Sequence, residues 1–469
     1  MKISLSLFAT LNLAALCLAI HPIQIHERHF YDSVTGKPFF IKGVDYQPGG
    51  SSGVSSENDP LSDIEKCSRD IYLFQNLGIN TIRVYSINPD LDHDKCMTLL
   101  AEAGMYLILD VNSPMGHQHL NRYEPWSTYN EQYMSHVFKV VTQFSAYNNT
   151  LAFFAGNEVV NDRVSAKVSP VYIKAVIRDM KDFMRRNSMR KVPVGYSAAD
   201  DLDYRISLAQ YLACYDTSTD DQVDFYGVNT YQWCGQQTFY SSGYDTLVRD
   251  YIRYPKPIFF SEYGCNKILP RLFQEVASIY SAKMADVFSG GLVYEFAQEP
   301  NNYGLVDYDE DGNVRLLPDY YTFKKRLAKV RDPMLNKPDS RMKGFGSFGS
   351  KRTAPTTQKP RICLQQYENI DVSRGLPRPV ARGIQRSNKG TKRAGFVALS
   401  KTDYVSKYKI FNVDGSLLVA NPTVAIAQEN DDDPDPVGRH YIWSSKATSI
   451  ATPAIIAMAT CIVVMLLTR

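Results

Sequence analysis

Eight apolar segments recur between residues 38 and 330, and amphipathic segments separate most of them. The apolar segments are rich in β-branched and aromatic residues and are bounded by turn residues, as is typical of buried parallel strands. In order they read PFFIKGVDY, INTIRVY, MYLILDV, LAFFAGNE, KVPVGYS, VDFYGVNTY, KPIFFSEYG and GGLVYEFAQ. Intervening segments such as DIEKCSRDIYLFQNLG and RLFQEVASIYSAKMADVF carry apolar residues at helical spacing. The alternation predicts an α/β fold, a (β/α)8 TIM barrel.

A doubly wound open sheet is the alternative for such an alternation. That fold calls for a glycine-rich phosphate-binding turn directly after its first strand. Here GVDYQPGGSSG stands at that place and lacks the spacing of the fingerprint. The barrel is therefore favoured, and its chemistry is expected at the carboxyl ends of the strands.

Two glutamates stand at the ends of predicted strands. Glu158, preceded by Asn157, ends the fourth apolar segment, and Glu262 ends the seventh. A single such glutamate is usually a surface or ion-paired residue, but two on these strands can face each other across the barrel mouth. If the carboxyl groups lie about 5–5.5 Å apart, they suit cleavage of a glycosidic bond with retention. Asn157 would then bond the 2-hydroxyl of the sugar.

The two ends of the chain predict targeting signals. Residues 1–19 are apolar after Lys2 and end in small residues, which indicates a secretory signal peptide. Residues 450–469 are an apolar tail behind Ser444 and Ser445. A tail-anchored helix would look similar, but a signal peptide combined with such a tail favours a glycolipid (GPI) anchor signal.

The cysteines agree with secretion. Two of the eight, Cys17 and Cys461, lie in the terminal signals, and the other six imply three disulfides, for which sequence alone allows 15 connectivities. A metal site is the rival interpretation, but no CxxC pair or Cys–His cluster is present, and we predict none. One glycosylation sequon stands at Asn148, whereas Pro422 excludes Asn421.

Charge and composition divide the rest of the chain into segments. Residues 337–401 hold 15 Lys and Arg against three acidic residues. A secreted chain meets little nucleic acid, so we expect a solvated linker and no nucleic-acid partner. The 31 tyrosines suit sugar binding, although most are expected to pack in the barrel. The predicted parts are a signal at 1–19, the barrel at 20–335, a basic, partly disordered linker pinned by Cys363 at 336–393, a small β module at 394–425, an acidic spacer at 426–449 and the tail at 450–469.

Seven motifs carry a family resemblance over roughly residues 25–325. They are GVDYQPGG, KCSRDIYLFQNLGINTIRVYSI, LILDVN, FFAGNEVVND, VDFYGVNTYQWCG, IFFSEYGCN and GGLVYEFAQEPNNYGLV. On these motifs the chain resembles the fungal β-1,3-glucanosyltransferases of glycoside hydrolase family 72, the Gas, Gel and Phr proteins. The resemblance implies that Glu158 is the acid/base and Glu262 the nucleophile. It implies sugar subsites lined by Gln47, Tyr85, Asp110, Asn157, Tyr231, Tyr294 and Tyr303, and the disulfides Cys67–Cys96, Cys234–Cys265 and Cys214–Cys363.

The resemblance also implies an activity. Such an enzyme cleaves a β-1,3-glucan internally, holds one part as a glycosyl-enzyme and transfers it to the non-reducing end of another chain. It needs no cofactor, and the GPI anchor would hold it at the outer face of the plasma membrane, beside the wall glucan. Because the acceptor must outcompete water, aromatic platforms such as Tyr231, Tyr294 and Trp233 are expected to bind it.

Two alternatives stay open from the sequence. An endo-β-1,3-glucanase would carry the same two carboxylates and differ only in forming shorter products. A wall-anchored glucan-binding protein with a dead site is the other, although the intact glutamate pair counts against it.

The chain departs from the family pattern at a few places. Phe296 stands where a tyrosine is frequent, so one hydroxyl near the site is expected to be missing. The loop SPMGHQHLNRYEPWSTYN is unusual; its His117 and His119 are expected at the surface. The cysteine count leaves no room for the cysteine-rich carbohydrate-binding module of some relatives. Four further polar residues near strand ends are interpreted as structural support: Asp45, Asn229, Glu295 and Glu299.

Overall fold

The computed structural model describes residues 20–187, 189–216, 218–333, 335, 361–381, 383 and 394–427. The predicted signal peptide, the apolar tail, residues 336–360 and 384–393 of the predicted linker and nearly all of the predicted acidic spacer lie outside the described residues. Within the described ranges, no helix combines the length and apolar character needed to cross a membrane.

In the described part of the chain the strands form three sheets. A small antiparallel sheet at the start of the chain holds β1 (Ile23–His26), β2 (His29–Asp32) and β3 (Pro38–Phe39). The barrel strands are β4 (Ile41–Asp45), β5 (Thr81–Val84), β6 (Tyr106–Asp110), β7 (Thr150–Asn157), β8 (Val194–Ala199), β9 (Phe225–Asn229), β10 (Ile258–Tyr263) and β11 (Phe288–Val293). The last sheet holds β12 (Val306–Tyr308), β13 (Val314–Leu316), β14 (Ile410–Phe411) and β15 (Leu417–Val419).

The eight barrel strands are parallel and close in sequence order, with β11 pairing with β4. Each overlaps one of the eight apolar segments, so the predicted (β/α)8 barrel is confirmed. The strands are buried on both faces, which is why they read as continuous apolar runs. The first small sheet plugs the amino-terminal end, where Phe30 packs against Phe225 and Phe259. The opposite end of the barrel is formed by the loops that follow the strands.

The helices surround the barrel. They are α1 (Ile64–Leu77), α2 (Asp94–Glu102), α3 (Pro125–Thr128), α4 (Glu131–Phe144), α5 (Ser165–Val168), α6 (Pro170–Arg186), α7 (Arg205–Ala213), α8 (Tyr244–Tyr251), α9 (Glu275–Ile279), α10 (Ala282–Ala285) and α11 (Pro318–Leu327). The segment RLFQEVASIYSAKMADVF, which reads as one helix, forms the two short helices α9 and α10. Ser281 between them is extended, and the buried Tyr280 hydroxyl donates to the Ile41 carbonyl instead of continuing a helical surface.

The carboxyl-terminal segments lie against the barrel domain. Cys214–Cys363 links residues 361–381 to the loop after α7. Within the predicted β module, β14 and β15 join at a turn in which Gly415 has a φ of 81°. These strands extend the sheet of β12 and β13, because β14 pairs with β13. The segment therefore belongs to a sheet of the barrel domain and has no sheet of its own.

The other two disulfides tie neighbouring elements. Cys67–Cys96 joins α1 to α2, and Cys234–Cys265 joins the loops that follow β9 and β10. The second bridge lies at the carboxyl end of the barrel, where it links two loops that carry candidate site residues.

Candidate active site

The two glutamates occupy the carboxyl rim of the barrel and line the same cavity, which has a volume of about 460 Å³. Glu262 lies in β10, and Glu158 directly follows β7. Glu158 has a φ of 46°, a left-handed conformation that is uncommon outside glycine. Its N–H donates to the Ser197 carbonyl over 2.9 Å, which holds this turn against β8.

Glu262 receives three donors. The Tyr85 hydroxyl donates to Oε1 over 2.9 Å, Arg83 Nη1 lies 3.3 Å from the same oxygen, and the Tyr231 hydroxyl donates to Oε2 over 2.6 Å. The residue is only 7% exposed. Burial raises the pKa of its carboxyl to about 7, and Glu158 adds to the rise, while Arg83 and the two phenols oppose it. The donor set fits an ionised nucleophile.

Arg83 connects Glu262 to the other carboxylates beneath the cavity. Its guanidinium is fully buried and makes a bidentate pair with Asp110, over 3.0 and 2.9 Å. It also donates to the Ser261 carbonyl over 3.1 Å and lies 3.9 Å from Asp45. One buried guanidinium thus forms ion pairs with three carboxyl groups, and the bidentate pair fixes its orientation. This arginine was not among the site residues predicted from the sequence.

Asn229 holds Glu158 by a hydrogen bond. Its Nδ2 donates to Glu158 Oε1 over 2.9 Å and to Asn157 Oδ1 over 3.1 Å. Its Oδ1 accepts from the hydroxyls of Ser197 and Ser261, over 3.0 and 2.7 Å. These acceptor contacts fix which end of the amide faces Glu158. Asn229, expected only as support, positions the acid/base candidate directly.

Two of the predicted sugar contacts are largely committed to protein partners. Gln47 Oε1 accepts from the N–H groups of Tyr85 and Ser86, over 3.0 and 3.1 Å. It therefore holds the turn that carries the Tyr85 hydroxyl. Asp110 is paired with Arg83, as described above. Burial raises the pKa of the Asp110 carboxyl, and Arg83 opposes the rise.

The predicted tyrosines form one aromatic wall. The Tyr294 ring lies edge-on to those of Tyr85, Tyr231 and Tyr303, with centroids 6.4, 6.3 and 5.1 Å away. Trp233, expected as a platform, is instead buried and packs on Tyr244 at 5.0 Å. That expectation was wrong, because a strand-end aromatic can turn into the core as readily as into the cleft.

Two further carboxyl groups line the cavity. Glu295 Oε1 accepts from Asn301 Nδ2 over 2.9 Å, and burial raises the pKa of this carboxyl to about 7. Burial also raises the pKa of Glu299. Both were interpreted as structural support, and the structure places them beside the glutamate pair. They make this part of the cavity acidic.

Phe296 does not face the cavity. It is fully buried, with its ring 4.9 Å from that of Phe74 and 5.7 Å from that of Tyr46. The expectation that a hydroxyl is missing from the site is therefore wrong, since this position lies in the packing behind it.

The loop after β6 carries two histidines, His117 and His119. His117 is exposed and His119 is half-buried in the loop after β6. Among the described residues, no group of three or more His, Cys, Asp or Glu side chains is arranged to hold a metal ion.

A closed (β/α)8 barrel with paired glutamates at the carboxyl ends of its fourth and seventh strands is an arrangement suited to glycosidic bond chemistry. Residues 13–331 match the family model described as Glucanosyltransferase, glycoside hydrolase family 72. The chain belongs to this family, which confirms the resemblance drawn from its motifs.

Curated relatives match most of the chain. It is 54% identical over 420 residues to the 1,3-beta-glucanosyltransferase GAS4 of Saccharomyces cerevisiae, covering 89% of this chain and 83% of that protein. It is 42% identical over 413 residues to the 1,3-beta-glucanosyltransferase gel2 of Aspergillus fumigatus, covering 87% and 83%.

Solved structures show the same barrel. Saccharomyces cerevisiae Gas2p in complex with laminaripentaose matches with a TM-score of 0.63 and 41% identity, over 67% of this chain and 71% of that chain. A Gas2p mutant in complex with laminaritetraose and laminaripentaose matches with the same TM-score and identity, over 67% and 69%.

Proposed function

We propose that this protein is a retaining β-1,3-glucan transglycosylase that elongates cell-wall glucan. The observation that carries the proposal is the pair itself: a buried Glu262 with three donors shares one cavity with Glu158. The substrates follow from the family and from the laminari-oligosaccharides bound to Gas2p.

In the first step Glu262 attacks the anomeric carbon of the donor, and the bond to the leaving oxygen breaks. Glu158 gives its proton to that oxygen, so the reducing-side fragment leaves as a neutral alcohol. The remaining fragment is held as an ester on Glu262. We assign the bond to the 2-hydroxyl of this sugar to Asn157, whose side-chain oxygen accepts from Asn229.

In the second step Glu158, now ionised, takes the proton of an acceptor 3-hydroxyl. That oxygen attacks the anomeric carbon, a new β-1,3 bond forms, and the bond to Glu262 breaks. The phenols of Tyr85 and Tyr231 and the guanidinium of Arg83 stabilise the carboxylate that is released.

Transfer requires that an acceptor sugar displaces water from the glycosyl-enzyme. Tyr294 lines the cavity that holds Glu262, and its ring packs on those of Tyr231 and Tyr303, so the wall offers apolar ring surface there. Sugar rings that cover this surface exclude water from the ester. The wall therefore favours transfer over hydrolysis.

We further propose that the chain is secreted, glycosylated at Asn148 and held by a GPI anchor at the outer face of the plasma membrane. Asn148 is half-buried in the turn between α4 and β7. Three disulfides among six cysteines fit an oxidising compartment.

Product analysis tests the proposed function. Protein without residues 450–469 is incubated with a reduced linear β-1,3-glucan oligosaccharide, beside Glu158→Gln and Glu262→Gln. Products longer than the substrate, absent with both variants, are expected. Only shorter products would indicate a glucanase, and binding without turnover by the unaltered protein would indicate a glucan-binding protein.

A further inference from the structure

A second cavity continues from the catalytic one. It has a volume of about 690 Å³ and is bounded by the loop of residues 111–124, between β6 and α3. The two cavities share Ser51, Tyr85, Pro114 and Asn157 in their walls. They therefore form one cleft, whose outer part is lined by a loop that the proposed mechanism does not use.

Tyr123 is the large aromatic residue on this loop that lines the outer cavity and stays open to solvent. Its side chain is 48% exposed. Its hydroxyl donates to Asp162 Oδ2 over 2.8 Å, and its N–H donates to Asn121 Oδ1 over 3.0 Å. Asp162 is itself fixed, since Oδ1 accepts from the Ser165 N–H over 2.7 Å. An exposed ring is thus held in one orientation without being packed into the core.

The anchors of this loop belong to the segment that follows the acid/base candidate. Asp162 lies four residues after Glu158, and the Ser169 hydroxyl donates to the Arg122 carbonyl over 2.7 Å. The ring is consequently fixed relative to Glu158 in the free protein. A platform already held in place loses little conformational entropy when a ligand binds.

The chemistry of the substrate explains what the outer cavity can hold. In a β-1,3-glucan, the sugar at the cleaved bond carries glucan on both sides of its 2-hydroxyl, the leaving chain on the 1-oxygen and the rest of the donor on the 3-oxygen. The outer cavity extends from Asn157 and Tyr85, away from Glu295 and Glu299. It is therefore placed to receive glucan residues beyond those at the cleaved bond. Pyranose C–H groups of those residues can cover the Tyr123 ring.

We propose that Tyr123 forms the stacking platform of a distal β-1,3-glucan subsite in the outer cavity and makes the enzyme select long chains. The proposal rests on the proposed function and adds a specificity-determining residue to it. Asp162 acts as a positioning residue, because it contacts the ring through the Tyr123 hydroxyl.

The test is a chain-length series with the mature protein, in which donor length is varied with a fixed acceptor and acceptor length with a fixed donor. For Tyr123→Ala, kcat/KM is expected to fall about tenfold on chains long enough to reach the ring and to stay unchanged on shorter ones. Tyr123→Phe, which keeps the ring, is expected to retain most of the length preference. Tyr240→Ala is the matched control, since Tyr240 is 68% exposed on another loop.

An effect of Tyr123→Ala that is equal at every chain length in both series, or absent from both, would overturn the proposal. Calorimetry of long oligosaccharides with Glu158→Gln, with and without Tyr123→Ala, measures binding at the subsite independently of turnover. If the unaltered protein turned over no glucan, the proposed function would fail, and weaker binding with Tyr123→Ala would still support the subsite.

Discussion

Removal of the phenol hydroxyls that bond Glu262 is expected to raise the pKa of its carboxyl. Tyr231 donates over 2.6 Å to Oε2, which receives no other donor from the described residues. Tyr85 donates over 2.9 Å to Oε1, which Arg83 also contacts. Tyr231→Phe leaves one oxygen without a protein donor, whereas Tyr85→Phe leaves Arg83 in place. The larger shift is therefore expected from Tyr231→Phe.

The size of the shift follows from the strength of the bond. A hydrogen bond to a charged group contributes about 1.5–3 kcal/mol, and about 1.4 kcal/mol corresponds to one pKa unit. Burial already raises the pKa of Glu262 to about 7. Loss of the Tyr231 hydroxyl is expected to raise it by about one to two further units. Because the nucleophile must be ionised, the acidic limb of kcat/KM moves to higher pH by the same amount.

The assay is the pH profile of kcat/KM for transfer between laminari-oligosaccharides. Tyr294→Phe is the matched control, since the Tyr294 hydroxyl accepts from Asn301 over 3.2 Å and does not bond Glu262. An acidic limb that stays in place in Tyr231→Phe, or that moves as far in Tyr294→Phe, would refute the reasoning.

Three other perturbations have defined outcomes. Arg83→Met leaves buried carboxyl groups without their cation and is expected to lower the free energy of unfolding by about 3–5 kcal/mol, measured by urea denaturation; a loss below about 1 kcal/mol would contradict the role of Arg83. Burial raises the pKa values of Glu262 and Glu275 from 4.5 to about 7. At pH values between these two pKa values the folded protein binds more protons than the unfolded chain, so its stability falls as the pH rises. Calorimetry should show a higher Tm at pH 5 than at pH 8 and a smaller difference in Glu275→Gln; an opposite slope in this pH window would count against these shifts. Cys363→Ser removes the bridge to Cys214 and should cost about 2–5 kcal/mol of stability without changing kcat, and a loss of kcat at full stability would contradict it.

The barrel could be predicted because its strands are buried on both faces and therefore stand out as apolar runs. Apolar periodicity does not predict helix α7 (Arg205–Ala213), since its apolar residues do not keep to one face. The glutamate pair could be found for a similar reason: a carboxylate at the end of an apolar strand is conspicuous in the sequence.

The supporting contacts could not be predicted in the same way. Arg83 pairs with Asp110 and Glu262, which lie 27 and 179 residues away in the chain. Such contacts exist only after the barrel closes, and an arginine within a strand gives no sign of its partners. The orientations of Phe296 and Trp233 could not be predicted either, because position in a motif does not reveal that both side chains face the core.

Trapping the glycosyl-enzyme tests the central claim most directly. Glu158→Gln is mixed with a laminari-oligosaccharyl fluoride, whose leaving group needs no proton, and the protein is digested and analysed by mass spectrometry. The account predicts a glycosyl ester on the peptide that contains Glu262, and none in Glu262→Gln. An adduct on another residue, or turnover without an adduct and with inversion of the anomeric centre, would contradict it.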